Sequence, residues 1–239
     1  MWLLGFLCTF LGLFIGGLIA WLFKGLHQRV DIFYGLCAGI IFGLISFEIF
    51  PEAVELGGWA STFLGFTFGM IIFALLHNSV HSNESKKNIE KDNLYIRTSL
   101  LLIFSLSIHN IPMGIILGAN QSSDFTMALL QTLLFHSIPE GIILFTPLIL
   151  AGKRMNLFIV FLITFIVSIP VALGIFIGDF LGFVHQSINT ILIGLTLGII
   201  FMVTVSEILF PALIKSSVFK VLLWTMIGMG IIGVYMKIL

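Results

Sequence analysis

The sequence predicts an all-α integral membrane protein of eight transmembrane helices, and three observations carry that prediction. First, 59% of the 239 residues are hydrophobic and only 9% are charged, against roughly 25% charged in a soluble domain. Mean hydropathy is +1.18, so no fold of this length covers its surface with polar side chains. Second, breaks in hydrophobicity mark eight apolar runs, at about 2–23, 32–51, 58–76, 96–119, 125–150, 156–178, 187–210 and 218–238, each near the roughly 20 residues a spanning helix needs. Third, the runs do not alternate polar with apolar residues, as a transmembrane barrel would. Helices remain, because lipid leaves no open sheet edge satisfied. A water-soluble enzyme is excluded. Nucleic-acid binding is excluded as well, since net charge is zero and no basic face exists. Residues 1–239 read as one transmembrane domain with a polar loop over about 77–94.

The first run lacks a basic leader and is too long for the apolar stretch of a signal peptide, so it reads as a span. It holds Cys8, and the second run holds Cys37; neither has disulfide or thiolate-metal spacing, so both read as packing residues. Charge position sets the orientation. Lys24 and Arg29 fall in the first loop, Lys86, Lys87, Lys91 and Arg97 in or beside the third, Lys153 and Arg154 in the fifth, and Lys215 and Lys220 in the seventh. Only Lys237, at the end of the last span, falls elsewhere. By the positive-inside rule the odd loops are cytoplasmic and both termini face outward. The even loops carry Glu52, Glu55, Asp124 and Asp179, read either as solvated loop ends or as an acidic outer mouth that attracts cations. His77 and His81, four apart where the long loop begins, read as solvent-exposed, with a weak metal contact as the alternative.

Span four contains His109-Asn110-Ile111-Pro112-Met113-Gly114, and span five contains His136-Ser137-Ile138-Pro139-Glu140-Gly141. Both share one frame, and each falls near the middle of its run. A charge at the bilayer centre costs about 2.5–3.5 kcal/mol and usually faces the bundle interior. His136 and Glu140 are four apart and so stack on one helix face. Antiparallel spans four and five bring His109 to the same depth. Each proline frees a carbonyl one turn back, at Ile108 and Phe135. Imidazole, carboxylate and amide or carbonyl oxygen suit Zn2+, with Fe2+, Mn2+ and Cd2+ as alternatives. Interhelical hydrogen bonding is the competing explanation for one histidine, but not for two matched frames with a midplane glutamate.

Span two ends in Glu48-Ile49-Phe50-Pro51 and span seven in Glu207-Ile208-Leu209-Phe210-Pro211. The two spans run in opposite directions, so these ends lie at opposite faces, as an inverted repeat requires. Glu48 and Glu207 read as relay carboxylates above and below the central site, or as interfacial glutamates that reach water. Glycines such as Gly228, Gly230 and Gly233 in span eight permit the close packing of a homodimer.

These residues resemble the ZIP (Zrt/Irt-like protein) family of divalent-metal transporters over essentially the whole chain. The fourth helix of that family carries an HNxPEG-type motif and the fifth an H/Q-x-x-PEG-type motif, matched here by HNIPMG and HSIPEG. The resemblance implies metal uptake toward the cytoplasm between helices four and five. It also implies a 3+2+3 arrangement, with inverted units of helices 1–3 and 6–8 around that pair. Carried over, the metal site uses His109, His136 and Glu140, with Asn110 at the neighbouring second position. Met113 stands where the family has a glutamate that bridges two metals, and Ser137 stands where a stronger oxygen ligand occurs. Span six has no carboxylate. Two dications would face one buried carboxylate, so a single-ion site is expected. Met113 reads as a gap-filling residue, with a soft thioether ligand as the alternative.

The expected activity is transport of a divalent cation, with no prosthetic group and with the ion and the lipid bilayer as partners. Glu48 strips and passes the ion, the central residues replace its water shell, and Glu207 receives it. Neutral imidazole is required, so uptake weakens below about pH 6. Short loops point to a cell membrane, inner or plasma. Two other functions compete: a divergent relative that binds metal but transports weakly or with altered choice, and an intramembrane metal-dependent hydrolase, against which the chain lacks an HExxH frame.

Overall fold

The computed structural model describes residues 1–22, 30–81, 91–119, 123–150, 156–182 and 186–238. Helices account for nearly all of them, and no strand occurs among the described residues. The elements are α1 (Trp2–Leu22), α2 (Val30–Leu44), α3 (Phe50–His81), α4 (Lys91–Ala119), α5 (Ser123–Leu150), α6 (Leu157–Leu181), α7 (Gln186–Val203), α8 (Phe210–Lys215) and α9 (Val218–Ile238). Two π-helical turns, Ile45–Ile49 and Thr204–Leu209, join α2 to α3 and α7 to α8. The chain is a multi-pass membrane protein, with seven helical stretches long and apolar enough to cross a membrane among the described residues.

Local sequence explains several ends. The Asn156 side chain accepts from the Ile159 amide at 2.9 Å and starts α6, while Gly182, at φ 68°, stops it. The expected loop over 52–57 is absent. The helix continues through Glu52 and Glu55 and breaks only at Gly58, at φ 78° and ψ 167°, a conformation that glycine adopts without a Cβ clash. Carboxylates near a wet membrane face have no need to leave a helix, which is why polarity alone ended the preceding span too early, at 51, although the next was expected to begin at 58, where the break falls. For the same reason α4 begins at Lys91, ahead of the apolar run, and Asp179 lies within α6. Ile32–Ser79 forms one 48-residue apolar stretch, whose length at about 1.5 Å per residue is more than twice the roughly 30 Å hydrocarbon core.

Lys24, Arg29, Lys86, Lys87, Lys153 and Arg154 lie outside the described residues, as do the side chains of His81, Lys91, Arg97 and Asp124.

Glycine sets how the helices meet. A Cβ on Gly16 of α1 would fall 2.1 Å from the Ile138 carbonyl oxygen of α5, and one on Gly174 of α6 would fall 2.3 Å from that of Ile111 in α4. Gly65 of α3 meets the Ile191 carbonyl of α7, and Gly39 of α2 meets Thr225 of α9 in the same way. Backbones therefore touch directly, as small residues allow in lipid. The register also gives direction. Gly114 meets Gly174 and Gly118 meets Asp179, so α4 and α6 run parallel; Gly12 meets Ser137 and Gly16 meets Gly141, so α1 and α5 do too. Gly5 meets Ile175 whereas Gly17 meets Val160, so α1 and α6 are antiparallel. It follows that α4 and α5 are antiparallel, the relation the paired histidine frames require.

The buried interior runs through α1, α4, α5 and α6 and across to α2 and α7, with Phe73, Leu102, Leu133 and Phe145 fully enclosed. Cys37 is buried there, Cys8 is half-buried, and both are free thiols. Outward faces expose residues such as Phe68, Phe176, Phe219 and Met226, an apolar surface that hydrocarbon covers.

Candidate metal centre

Helix α4 contributes His109 and α5 contributes His136 and Glu140, one turn apart on a single face. All three are at least 95% buried. His109 Nε2 lies 3.5 Å from Glu140 Oε1, and His136 Nε2 lies 4.0 Å from the same oxygen. The imidazole rings are 6.0 Å apart and nearly perpendicular, at 74°. One ligand atom from each residue falls within 4.8 Å of the others.

The hydrogen bonding is more telling than the distances. His109 Nδ1 donates to the Thr196 carbonyl oxygen of α7 at 3.2 Å. A carbonyl only accepts, so the proton sits on Nδ1 and the Nε2 lone pair faces Glu140, the outer-shell arrangement of metal-binding histidines. His109 Nε2, both nitrogens of His136 and both oxygens of Glu140 have no hydrogen-bond partner. Buried polar atoms without partners cost about 1–3 kcal/mol each, and here five belong to three adjacent side chains. A cation with bonds of about 2 Å to nitrogen and oxygen satisfies three of them after small side-chain rotations. Two imidazoles and a carboxylate also leave a position for an exchangeable ligand, which suits an ion in transit.

Met113, on the face of α4 that carries His109, is buried. It lines a cavity of about 10 Å³ together with His109, His136 and Thr196, space for roughly one water-sized particle. Asn110 is turned aside: its Nδ2 donates to the Val167 carbonyl of α6 at 3.0 Å, and its Oδ1 is buried without a partner. The Ser137 hydroxyl donates to its own helix at the Leu133 carbonyl, 2.6 Å away, and its Cβ lies beside Gly12 of α1. Of the residues singled out from sequence, His109, His136 and Glu140 converge, Met113 lines the space, and Asn110 and Ser137 bond elsewhere.

Glu48 and Glu207, the two glutamates expected from sequence as relay or interfacial residues, both fall in the π-helical turns, a feature frequent at functional sites. Glu48 Oε1 accepts from Thr132 Oγ1 of α5 at 2.6 Å. Glu207 is 5% exposed, and its Oε1 stands 3.1 Å from His77 Nδ1 of α3. Thr132, Thr196 and His77 escaped sequence reasoning as partners. Thr132 could have been found, since Thr132, His136 and Glu140 repeat every fourth residue on α5. Ser105, His109 and Met113 do the same on α4.

A helical, multi-pass membrane protein whose buried, unpaired ligands form a pocket fit for a cation belongs among metal-ion transporters. The family model described as ZIP Zinc transporter matches residues 75–236, more than half of the chain. The chain belongs to that family, whose members are transporters rather than enzymes. No curated protein matches it.

Proposed function

We propose that this chain carries divalent metal ions, zinc foremost, one at a time toward the cytoplasm through a midplane site of His109, His136 and Glu140. The observation that carries this reading is the set of five buried donor atoms without partners on antiparallel α4 and α5. Fe2+, Mn2+ and Cd2+ fit the same donors less selectively.

Residues 1–239 act as one transport domain of eight crossings, with the break at Gly58 dividing the 48-residue stretch in two. Helix pairing supports a 3+2+3 inverted repeat. Exchanging spans one, two and three with six, seven and eight, and four with five, turns the pair α1–α5 into α6–α4 and the pair α3–α7 into α9–α2. All four pairs make close glycine contacts. The same exchange matches Glu48 to Glu207. Both termini then face outward, Glu48 guards the outer approach, and Glu207 with His77 receives the ion on the cytoplasmic side. With Met113 beside the imidazoles and one carboxylate in reach, a second dication lacks compensation.

Metal uptake into proteoliposomes by wild type, Glu140→Ala and His136→Ala tests the reading. Loss in both variants is expected, and undiminished uptake in both sinks it. The buried Met113 supports one further possibility, a transporter retuned toward soft ions. Competition of Cd2+ and Zn2+ against Mn2+ measures that directly.

A further inference from the structure

On the flank of α5 beside the metal centre, α2 with its π-helical turn, α5 and α9 border a second, half-open cavity of about 390 Å³, within the roughly 300–1,000 Å³ of small-molecule sites. It shares Leu44 with the metal cavity but none of the metal-binding side chains. Its two ends differ. Glu48, Gln131, Thr132 and Tyr235 gather at one end, where Thr132 donates to Glu48. Tyr235 belongs to that end because α2 and α9 run parallel: Gly35 meets Val221 and Gly43 meets Ile232, which carries Tyr235 to the level of Glu48.

Below that end the wall is hydrocarbon, formed chiefly by Ile40, Leu44, Ile138 and Ile231. Ile40 lies eight residues before Glu48, about 12 Å along the helix. Below Glu48 a hydrated dication finds no ligand along such a wall, which suits an acyl chain instead. Phe135 and Ile231 are exposed on the outward side, where a chain from the bilayer enters laterally. Glu48 is the one charged residue among the described residues of the wall, and its sign calls for a cationic head. A primary ammonium donates hydrogen bonds to a carboxylate and an amide oxygen, whereas a quaternary ammonium has no N–H to give.

We propose that this cavity binds one membrane lipid with a primary-ammonium headgroup, its ammonium at Glu48 and Gln131 and one acyl chain along Leu44, Ile40, Ile138 and Ile231. Tyr235 closes the headgroup end of the cavity.

Native mass spectrometry of the whole chain, extracted from vesicles of equal phosphatidylethanolamine and phosphatidylcholine, tests the proposal. The wild type is expected to keep one phosphatidylethanolamine molecule several-fold in preference to phosphatidylcholine. Ile231→Trp, which fills the cavity and leaves the metal ligands untouched, loses it; Ile40→Phe does the same from α2. Glu48→Gln retains lipid but not the headgroup preference. Melting of the wild type in detergent with either lipid reads the same preference without substitution. Equal retention and equal stabilisation by the two lipids overturn the proposal, as does an adduct unchanged in a folded cavity-filling variant. None of these readouts depends on metal transport.

Discussion

His77 Nδ1 stands 3.1 Å from Glu207 Oε1, joining the end of α3 to the π-helical turn after α7 across 130 residues of sequence. The carboxylate is buried while the imidazole keeps about a third of its surface exposed, its side chain at 33%. The pair is therefore a step between interior and water. On the proposed route, an ion bound for the cytoplasm would meet the carboxylate first and the imidazole next.

From this contact follows a coupled effect on uptake. Glu207→Gln and His77→Gln each slow metal release into proteoliposomes, and the double variant loses less than the two losses multiplied. Residues in contact show coupling of about 0.5–3 kcal/mol in such cycles, and the exposure of His77 favours the lower half. Strictly multiplicative losses would mean that the two side chains act apart.

The parallel contact of α4 and α6 predicts a strong packing effect. Gly174→Val brings a branched side chain where even a Cβ would lie 2.3 Å from the Ile111 carbonyl oxygen. Backbone cannot withdraw as a flexible side chain can. Overpacking costs about 1–3 kcal/mol, so the melting temperature in detergent should fall by several degrees. Gly230→Val, where a Cβ meets nothing within 4 Å, should leave it unchanged and serves as the control.

How much of this was legible in the sequence differs from residue to residue. His109, His136 and Glu140 could be read because each helix repeats one frame and a four-residue spacing keeps one face. The unpaired state of their donor atoms could not, since it depends on what α7 does: Thr196 takes one nitrogen of His109 and leaves the other. Asn110 sits beside His109 in sequence yet turns toward Val167, because neighbours on a helix point about 100° apart. Span three was expected to begin at 58, where the helix does break at Gly58, but the residues before it, 52–57, are helical rather than a loop, because polarity marks where water begins, whereas backbone geometry marks where a helix ends. His77 was read as a solvent-exposed loop residue, and only its long-range contact with Glu207 shows otherwise.

Protonation sets a direction for the pH dependence. Imidazole binds a metal only in its neutral form, so binding expels protons and acid opposes it. Initial uptake by the wild type should fall as the medium is acidified with the transmembrane proton gradient collapsed. Proton release on binding to the detergent-solubilised protein should accompany it. His136→Ala should flatten both responses. A proton count unchanged by His136→Ala would contradict the assignment of its imidazole as a ligand.

Met113 occupies the α4 position that corresponds to Glu140 on α5, four residues after its histidine and ahead of the same glycine. One carboxylate balances half the charge of one dication, and a second dication would add uncompensated charge in a low-dielectric interior. Met113→Glu supplies the missing anion next to the same small cavity. Equilibrium dialysis with Cd2+ should then rise from one ion bound per chain to two, with the second site lost again in Met113→Gln, which keeps the shape without the charge. If Met113→Glu still binds a single ion, the stoichiometry is set by the space around His109 and His136 rather than by charge. If Met113→Gln binds two, amide oxygen suffices and the electrostatic account fails.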